Sequence, residues 1–302
     1  MSAAEHAENI ALAANLAREA RKGRGAASNR AGRYERFAGE ACDDGWGSLD
    51  EPLERLETIV QPDSSRTIIT RNESPDLGFD RSINAYRGCE HGCAYCYARP
   101  THAFLGLSPG QDFETRIFAK HKAPELLRQE LSKPGYRPRM IALGTNTDPY
   151  QPAERKLEIT RGILEVLSEF NHPVGIVTKS SLITRDIDIL GNMAERNLVK
   201  AVLSVTTLDR HLARRLEPRA STPAKRLEAL RSLSAAGIPT GVNFAPVIPA
   251  LNESELEAIF EAAAEAGVRE AAYILLRLPL EITDLFKEWL LLHAPGRANH
   301  VM

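Results

Sequence analysis

Three cysteines, Cys89, Cys93 and Cys96, stand close together in the spacing C-x3-C-x2-C. The chain has four cysteines in all, so a short segment with three of them indicates a metal site and not a disulfide framework. Gly88 and Gly92 beside them let the backbone wrap closely around a bound group. Three thiolates are one fewer than the four that usually saturate a [4Fe-4S] cluster. One iron would therefore stay open to a small molecule that binds and reacts there.

The same segment resembles the signature of the radical S-adenosylmethionine (radical SAM) superfamily, with the aromatic Tyr95 just before the last cysteine. The resemblance implies that Cys89, Cys93 and Cys96 bind a [4Fe-4S] cluster, and that S-adenosylmethionine chelates the open iron through its amino and carboxylate groups. An electron from the reduced cluster would cleave the sulfonium, and the resulting 5′-deoxyadenosyl radical would abstract hydrogen from a substrate. The sequence is thus predicted to encode a radical SAM enzyme.

One other interpretation of the cysteine segment stays open at this stage, and a cluster for electron transfer alone is disfavoured because no fourth cysteine lies nearby. The three cysteines could form a structural zinc site with His91 or His102, in a protein that binds nucleic acid or takes part in its repair. A cluster that only transfers electrons would need a fourth cysteine nearby. The remaining cysteine, Cys42, has no candidate partner around it and is interpreted as an incidental thiol.

Composition and charge narrow the class of protein. The 302 residues, 43% of them hydrophobic, can bury the core of one large α/β domain or two modest ones. A net charge of −2 gives no overall attraction to nucleic acid or to a membrane surface. The sequence contains no run of about 18 apolar residues that could span a bilayer, and the N-terminus lacks an apolar signal-peptide core. Free thiols without an export signal predict a cytoplasmic protein that does not associate with membranes.

The beginning of the chain is predicted to be separate from the catalytic core. Residues 1–45 are expected to form a basic, flexible N-terminal extension, with a weak helix over Ala3–Ala20 and an arginine-containing tract over Arg21–Arg36. The tract is interpreted as a solvated tail, and the alternative is an arm that binds nucleic-acid phosphates. Residues 46–81 are predicted to be a lead-in segment on the core domain, which comprises 82–302. The side chains expected to pack this segment on the core are Trp46, Leu49, Leu53 and Leu56.

From Ser82 onward, short apolar segments alternate with helical ones. The predicted strands are Ile83–Tyr86, Met140–Gly144, Val174–Thr178, Ala201–Val205, Thr240–Val247 and Ala271–Leu276, with extra strands at Arg66–Thr70 and Phe113–Ala119. The intervening segments, such as Arg155–Phe170, carry hydrophobic residues at helical spacing. Six strand–helix units predict an α/β fold with a parallel sheet covered by helices. Right-handed crossovers would curl it into an open barrel, and radical SAM cores resemble such a partial (βα)6 barrel of the TIM type.

Polar residues follow several of these strands, and the carboxyl ends of the strands carry the site in a parallel barrel. By resemblance to radical SAM proteins, Gly144, Thr145 and Asn146 occupy the place that contacts the amino group of S-adenosylmethionine. Lys179 resembles the partner of its carboxylate, which a lysine can hold as a point charge.

Other strand ends carry further candidate residues. Ser204 and Thr206 can hydrogen-bond a ribose or a carboxylate, and Arg219 could clamp a carboxylate with two hydrogen bonds. The apolar segment Val247–Pro249 resembles the edge that packs on adenine in radical SAM proteins. The residues expected to border the substrate pocket are Asp148, Tyr150, Gln151 and Glu154.

The segments Cys93–Tyr97, Thr178–Lys179 and Glu217–Arg219 resemble the spore photoproduct lyase branch of the superfamily. In that branch a cysteine at the end of the second strand donates a hydrogen atom, whereas this chain has Thr145 and Asn146 there. A threonine O–H bond is too strong to replace a thiol in this role, so lyase activity is not expected. The substrate is not predicted, and nucleic acid is one candidate. The resemblance also implies a low-potential electron donor such as flavodoxin or ferredoxin.

Overall fold

The computed structural model describes residues 12–35, 45–46, 56–75 and 77–302. The strands are β1 (Ile59–Pro62), β2 (Ile69–Arg71), β3 (Arg81–Ile83), β4 (Tyr86–Arg87), β5 (Arg116–Ala119), β6 (Ile141–Leu143), β7 (Val174–Thr178), β8 (Val199–Ser204), β9 (Thr240–Val247) and β10 (Glu270–Leu275). The helices are α1 (12–19), α2 (Asp112–Thr115), α3 (Ala123–Leu131), α4 (Glu154–Leu157), α5 (Ile159–Glu169), α6 (Ile187–Glu195), α7 (Arg210–Leu216), α8 (Pro223–Ala235), α9 (Leu256–Glu265), α10 (Ile282–His293) and α11 (Ala298–Val301). Short 3-10 helices cover Arg99–Leu105, Ser181–Asp186, Glu253–Glu255 and Pro295–Arg297. Cys42, Leu49, Leu53, Arg36 and the start of the predicted N-terminal helix lie outside the described residues.

Seven of the described strands form the main sheet, in the order β10-β9-β8-β7-β6-β3-β2. The six strands from β3 to β10 run parallel to their neighbours, and β2 pairs with β3 in the antiparallel direction. The α/β prediction of six parallel strands with intervening helices is confirmed. The two edge strands do not pair with each other, so the described sheet is open, consistent with a partial barrel.

The register of the sheet aligns the carboxyl ends of its strands. Leu143 at the end of β6 pairs with Ile83 of β3 and with Ile176 of β7. The main hydrophobic core includes these residues and apolar side chains of α3, α5, α6, α8 and α9. The central strands are buried because helices cover the sheet, and so they read as nearly continuous apolar runs in the sequence. The edge strand β10 is exposed along its length. The segments that follow β3, β6 and β7 therefore leave the sheet at the same edge.

Three predicted elements are divided or change type. The predicted helix Arg155–Phe170 is divided into α4 and α5, because Glu158 has a φ of 50° and the Glu154 carboxylate accepts a hydrogen bond from Thr160 N at 3.0 Å. The predicted strand Phe113–Ala119 begins as α2 and becomes β5 only at Arg116. The first core strand is interrupted after Ile83, and β4 joins β5 and β1 in a separate small sheet.

The described part of the N-terminal extension packs on the core. Ala26, Ala27 and Ser28 are buried. Gly25 N and Ala26 N donate hydrogen bonds to the Glu114 carboxylate at 2.9 and 2.8 Å. The expectation of a solvated tail therefore does not hold for this stretch, because two backbone amides are bound by a carboxylate that comes far later in the sequence.

Two arginines of the N-terminal tract form ion pairs with carboxylates near the C-terminal end of the chain. Arg30 lies 3.3 Å from Glu288 and 3.5 Å from Asp284, and Arg33 lies 3.3 Å from Glu281. These contacts compete with the alternative role of the tract as an arm for nucleic-acid phosphates.

The lead-in segment is attached to the core mainly by strand pairing, since β1 pairs with β5 and β2 with β3. Trp46, which was predicted to pack on the core, is instead 89% exposed. No helix within the described ranges has both the length and the apolar character needed to cross a membrane.

Candidate active site

The cysteine-rich segment forms a loop between β4 and the 3-10 helix Arg99–Leu105. Its three cysteines are free thiols; Cys89 and Cys93 are buried and Cys96 is half-buried. Gly92 has a φ of 66°, and a Cβ there would lie 2.6 Å from a Glu114 carboxylate oxygen. Only glycine fits such a position without strain. The sequence thus builds a compact turn that brings three thiols into one loop.

The surroundings of the buried thiols disfavour a bare thiolate. Burial raises the pKa of Cys89 well above its usual range, and the negative charge of Asp148 adds to the effect. Burial likewise raises the pKa of Cys93, with a further contribution from Glu217. Thiols in such a place ionise when a cationic metal centre replaces their protons.

The residues fit an iron–sulfur cluster better than a single zinc ion. His102, one candidate fourth ligand, has Nε2 at 3.0 Å from Arg116 O, and its ring packs edge-on against Phe113. His91, the other, has Nδ1 at 3.3 Å from an Asp148 oxygen. A four-iron cluster is held by cysteine thiolates alone.

A buried carboxylate, Glu217, organises one side of the cysteine loop. It accepts hydrogen bonds from the Tyr95 hydroxyl and from Thr206 Oγ1, and forms an ion pair with Arg226. Burial opposes ionisation of Glu217, but the positive charges of Arg226 and Lys179 outweigh it and hold its pKa at about 2. Tyr95 is therefore fixed by its hydroxyl.

Asp148 clamps the opposite side of the loop. Its carboxylate accepts hydrogen bonds from Thr178 Oγ1 at 2.6 Å, Lys179 N at 2.7 Å and Tyr150 N at 2.9 Å, and it also contacts His91. This differs from the predicted place beside a substrate pocket, because all the polar capacity of the carboxylate is used within the protein. Asp148 instead joins the end of β7 to the cysteine loop.

The other three predicted pocket residues are likewise buried, and two of them, Gln151 and Glu154, brace their surroundings through hydrogen bonds. Gln151 is fully buried; it donates to Gly88 O at 3.2 Å and accepts from Glu90 N at 2.9 Å. Glu154 is fully buried and bonded to the Tyr86 hydroxyl and to Arg185. Tyr150 is also fully buried. The polar turn after β6 therefore turns inward, where Gln151 supports the cysteine loop.

We expect Asp148→Asn to destabilise the fold by about 2 kcal/mol, because an amide has one acceptor oxygen for donors that now bind two. Burial opposes ionisation of Asp148, but His91 and the hydrogen-bond donors hold its pKa at about 2. A carboxyl whose pKa is lowered on folding stabilises the protein above its unfolded value of about 3.9 and loses this contribution as the pH falls toward 2. Urea unfolding at a series of pH values measures the effect. A variant with unchanged stability and an unchanged acid limb would contradict the proposed clamp.

The end of β6 approaches β7 very closely. Gly144 has a φ of 89°, and a Cβ there would lie 2.0 Å from Val177 O. Thr145 O accepts a hydrogen bond from the Tyr97 hydroxyl. Asn146 N donates to the Asn84 side chain at 2.9 Å, and the Asn146 side chain makes no hydrogen bond to any described residue. The predicted residues Gly144, Thr145 and Asn146 therefore lie beside the cysteine loop.

We expect Gly144→Ala to cost roughly 2–3 kcal/mol of folding stability, because the new Cβ would meet a backbone carbonyl and the φ is left-handed. Gly191→Ala in α6 is the matched control, since nothing lies near its Cβ position. Chemical denaturation of both variants measures the difference. Equal stability of the two would show that β6 and β7 can separate without cost.

Asn84, at the end of β3, is a site residue that sequence patterns did not identify. Its side-chain oxygen accepts from Asn146 N and Thr147 N, and its amide donates to Thr145 Oγ1 at 3.3 Å. It thus takes over hydrogen bonds that a continued strand would have made, and this is why β3 ends there. The Asn-Ala pair within an apolar segment was the available signal.

Lys179, Ser204 and Arg219 are placed differently from one another. The Lys179 ammonium lies 5.7 Å from the centroid of the Tyr95 ring and makes no ion pair with a described residue. Ser204 is buried at the end of β8. Arg219 lies 3.0 Å from the Glu90 carboxylate, and its N donates to His91 O at 3.2 Å. Lys179 thus makes no direct ion pair with a described residue, although its charge acts on the buried Glu217, whereas Arg219 clamps a carboxylate of the cysteine loop itself.

The cysteine loop lies within a part of the chain that matches a known protein family. Residues 83–263 match the model of the Radical SAM superfamily, and these residues make up more than half of the chain. The chain belongs to the radical SAM superfamily. This family carries a [4Fe-4S] cluster and S-adenosylmethionine, so the predicted cofactors follow from membership.

The relatives of this radical SAM protein are uncharacterised. A protein of Mycobacterium tuberculosis (strain ATCC 25618 / H37Rv) is 38% identical over 216 residues, which are 71% of this chain and 64% of the relative. A protein of Methanocaldococcus jannaschii is 28% identical over 173 residues, 57% of this chain and 62% of that protein. The chain thus spans less than two thirds of the length of either relative.

Among solved structures, a mutant of spore photoproduct lyase with bound AdoMet and dinucleoside spore photoproduct is similar in fold. Its TM-score is 0.58 at 15% identity, with 76% of this chain and 65% of the lyase chain covered. The predicted resemblance to this branch is confirmed at the level of fold.

Proposed function

We propose that this protein is an enzyme that cleaves S-adenosylmethionine reductively, with Cys89, Cys93 and Cys96 as the ligands of its [4Fe-4S] cluster. The observation that carries the proposal is the glycine-bounded loop with three free thiols, which Glu217 and Asp148 brace from two sides. When bound, the cluster supplies the electron that cleaves the sulfonium, and the 5′-deoxyadenosyl radical formed abstracts hydrogen from a substrate.

The residues around the loop would bind and orient the cofactor. Lys179, whose ammonium has no carboxylate partner among the described residues, would hold the methionine carboxylate. Asn146 has a free side-chain amide that can accept a hydrogen bond from the amino group. Gly144 and Thr145 would set the distance of this strand end from the cofactor, and Ser204 would hydrogen-bond the ribose.

Tyr95 and Arg219 would affect the cofactor indirectly, by holding the cysteine loop in place. Tyr95 is fixed by Glu217 and supports the cofactor side of the cysteine segment. Arg219, paired with Glu90, would hold the loop in place and leave the methionine carboxylate to Lys179.

The substrate is proposed only as a class. The described strand end after β6 carries Thr145 and Asn146 and no thiol, so we do not propose a thiol-dependent lyase reaction. Nucleic acid is one candidate substrate, although the similarity to spore photoproduct lyase is one of fold and does not assign it. We infer a cytoplasmic enzyme that takes its electron from a flavodoxin or ferredoxin.

Anaerobic reconstitution tests the proposed function. Protein loaded with iron and sulfide, then reduced with dithionite in the presence of S-adenosylmethionine, is expected to release 5′-deoxyadenosine, measured by liquid chromatography. Omission of the reductant is the control. Zinc in place of iron and sulfide in anaerobically purified protein would favour a structural metal site, and a fully loaded protein without product would contradict the proposal.

We expect Lys179→Met to weaken the binding of S-adenosylmethionine about 10-fold, because losing roughly 1.4 kcal/mol of attraction corresponds to this factor. Iron and sulfide content should not change, since Lys179 is not a cluster ligand. Lys225→Met, at an exposed position of α8, is the matched control. Equilibrium dialysis with labelled cofactor measures the affinity, and equal affinities of the two variants would remove Lys179 from the cofactor site.

A further inference from the structure

A cleft of about 420 Å³ lies at the side of the molecule, between α7, the segment after β9 and the C-terminal end of α10. The residues used below to characterise it are Asp209, His211, Arg215, Glu255, Trp289 and His293. Its volume falls in the range typical of small-molecule sites. None of the proposed cluster or cofactor residues lines it.

The polar lining side chains that make no hydrogen bond or ion pair with a described residue are all donors, and the exposed carboxylate of Asp209 lies near enough to Arg215 for the two charges to interact. Both oxygens of Glu255 already accept hydrogen bonds, from Thr207 Oγ1 and Leu208 N at 2.6 Å each. Asp209 accepts from His211 N at 2.7 Å as the N-cap of α7. The side chains of Arg215, His211 and His293, in contrast, make no hydrogen bond or ion pair with any described residue. The cleft therefore offers donors to a ligand that supplies acceptors.

The cleft also has apolar walls. Trp289 is almost fully buried; it stacks on Phe286 at 5.5 Å and contacts the ring of His293 at 5.1 Å. Its indole N–H donates to Arg215 O at 2.9 Å, so its hydrogen-bonding capacity is used. Leu212 and Leu251 line the same space. A ligand that suits this lining combines an anionic group with a flat or apolar body.

We propose that this cleft binds a nucleotide through its phosphate. A guanidinium is matched to the several oxygens of a phosphate, and the nearby imidazoles can add donors. The volume exceeds that of a phosphate alone, which leaves room for a ring beside Leu212 and Leu251. The same chemistry is offered by a free mononucleotide and by one nucleotide of a single strand.

The walls of the cleft pack on the cysteine loop, but the cleft and the loop share no lining residues. Trp289 belongs to the same hydrophobic cluster as Cys93 and Tyr95, and Leu216 O at the end of α7 accepts from Ala94 N at 2.9 Å. In the N-terminal tract, Arg30 and Arg33 are paired with carboxylates, whereas Arg215 makes no ion pair with a described residue. For the described residues, this cleft is thus a better phosphate site than the tract.

Equilibrium dialysis of the cluster-loaded, unreduced protein with labelled AMP tests the proposal. Saturating S-adenosylmethionine is present, so that AMP cannot occupy the cofactor site. AMP is expected to bind saturably, adenosine at least 10-fold more weakly, and inorganic phosphate to compete. Arg215→Gln should weaken AMP binding about 10-fold, and Arg214→Gln, an exposed neighbour outside the lining, should leave it unchanged.

A short oligothymidylate in the same assay separates the two sources of the phosphate. Tighter binding of the oligonucleotide would identify a strand, and tighter binding of AMP a free nucleotide. No saturable binding of either, equal affinity for AMP and adenosine, or equal affinity of the Arg215→Gln and Arg214→Gln variants would each overturn the proposal. S-adenosylmethionine cleavage is not part of the readout, so a failure here leaves the proposed function unaffected.

Discussion

Cys96→Ala is expected to yield a folded protein that holds almost no iron or sulfide and forms no measurable 5′-deoxyadenosine. Cys96 is only half-buried, so its truncation removes a ligand without opening a large cavity in the core. Two thiolates cannot hold the cluster in place of three. Even the loss of an outer-shell partner of a metal site costs about 10–100-fold in affinity or activity, so we expect a loss on the order of 100-fold or more.

Iron and acid-labile sulfide assays after anaerobic reconstitution, together with the visible absorbance of the cluster, measure this loss. The matched control is Cys42→Ala, which removes the chain's fourth cysteine. This variant should load and cleave as the unsubstituted protein does. The assignment of the ligands would be wrong if Cys96→Ala retained a full cluster, or if Cys42→Ala lost it.

The second large effect is expected for Glu217→Ala, which should lower the free energy of unfolding by about 3–5 kcal/mol. Breaking a buried ion pair on one side leaves an uncompensated charge in the interior, and Arg226 is almost fully buried. The Tyr95 hydroxyl would also lose its acceptor. Tyr95 precedes Cys96 in the loop, so the substitution should loosen the cluster site as well as the fold.

Urea denaturation of the cluster-free protein measures the effect on stability. Glu228→Ala is the matched control, because its ion pair with Lys225 is exposed on α8 and should contribute no more than about 1 kcal/mol. A difference of less than about 1 kcal/mol between the two variants would contradict the role given to Glu217. If Glu217→Ala were destabilised but still bound a normal cluster, Glu217 would stabilise the fold without supporting the cluster site.

Sequence patterns predicted the sheet because its central strands, β6 to β9, are largely buried. Val174–Thr178 and Thr240–Val247 are short apolar runs with clear boundaries, and both are strands with those bounds. The break at Glu158 was missed, since hydrophobic periodicity continues through it and only the buried Glu154 shows why the helix restarts. The spacing of hydrophobic residues along the chain contains no information about such a tertiary contact.

For the candidate site, the sequence indicated some residues and misplaced others. The cysteine spacing and Lys179 are informative because few structural roles require three closely spaced cysteines, or a lysine directly after a buried strand. Asp148 and Gln151 were assigned to a pocket, since a polar residue after a strand looks the same in the sequence whether it faces a ligand or turns inward. The bond from Gly25 to Glu114 joins residues 89 positions apart, and no local pattern predicts it.

The support of the cysteine loop extends beyond the stretch that defines the family. Glu114 forms an ion pair with Arg99, and Arg99 Nε donates to Cys93 O at 2.9 Å, so the backbone amides bound to Glu114 at residues 25 and 26 also buttress the loop. Trp289 of α10 packs in the cluster that contains Cys93. An expression fragment trimmed to residues 83–263, the range that matches the family, would lack both supports. Such a fragment should be a poor host for iron–sulfur assembly, and the shortest useful recombinant piece has to include both flanks.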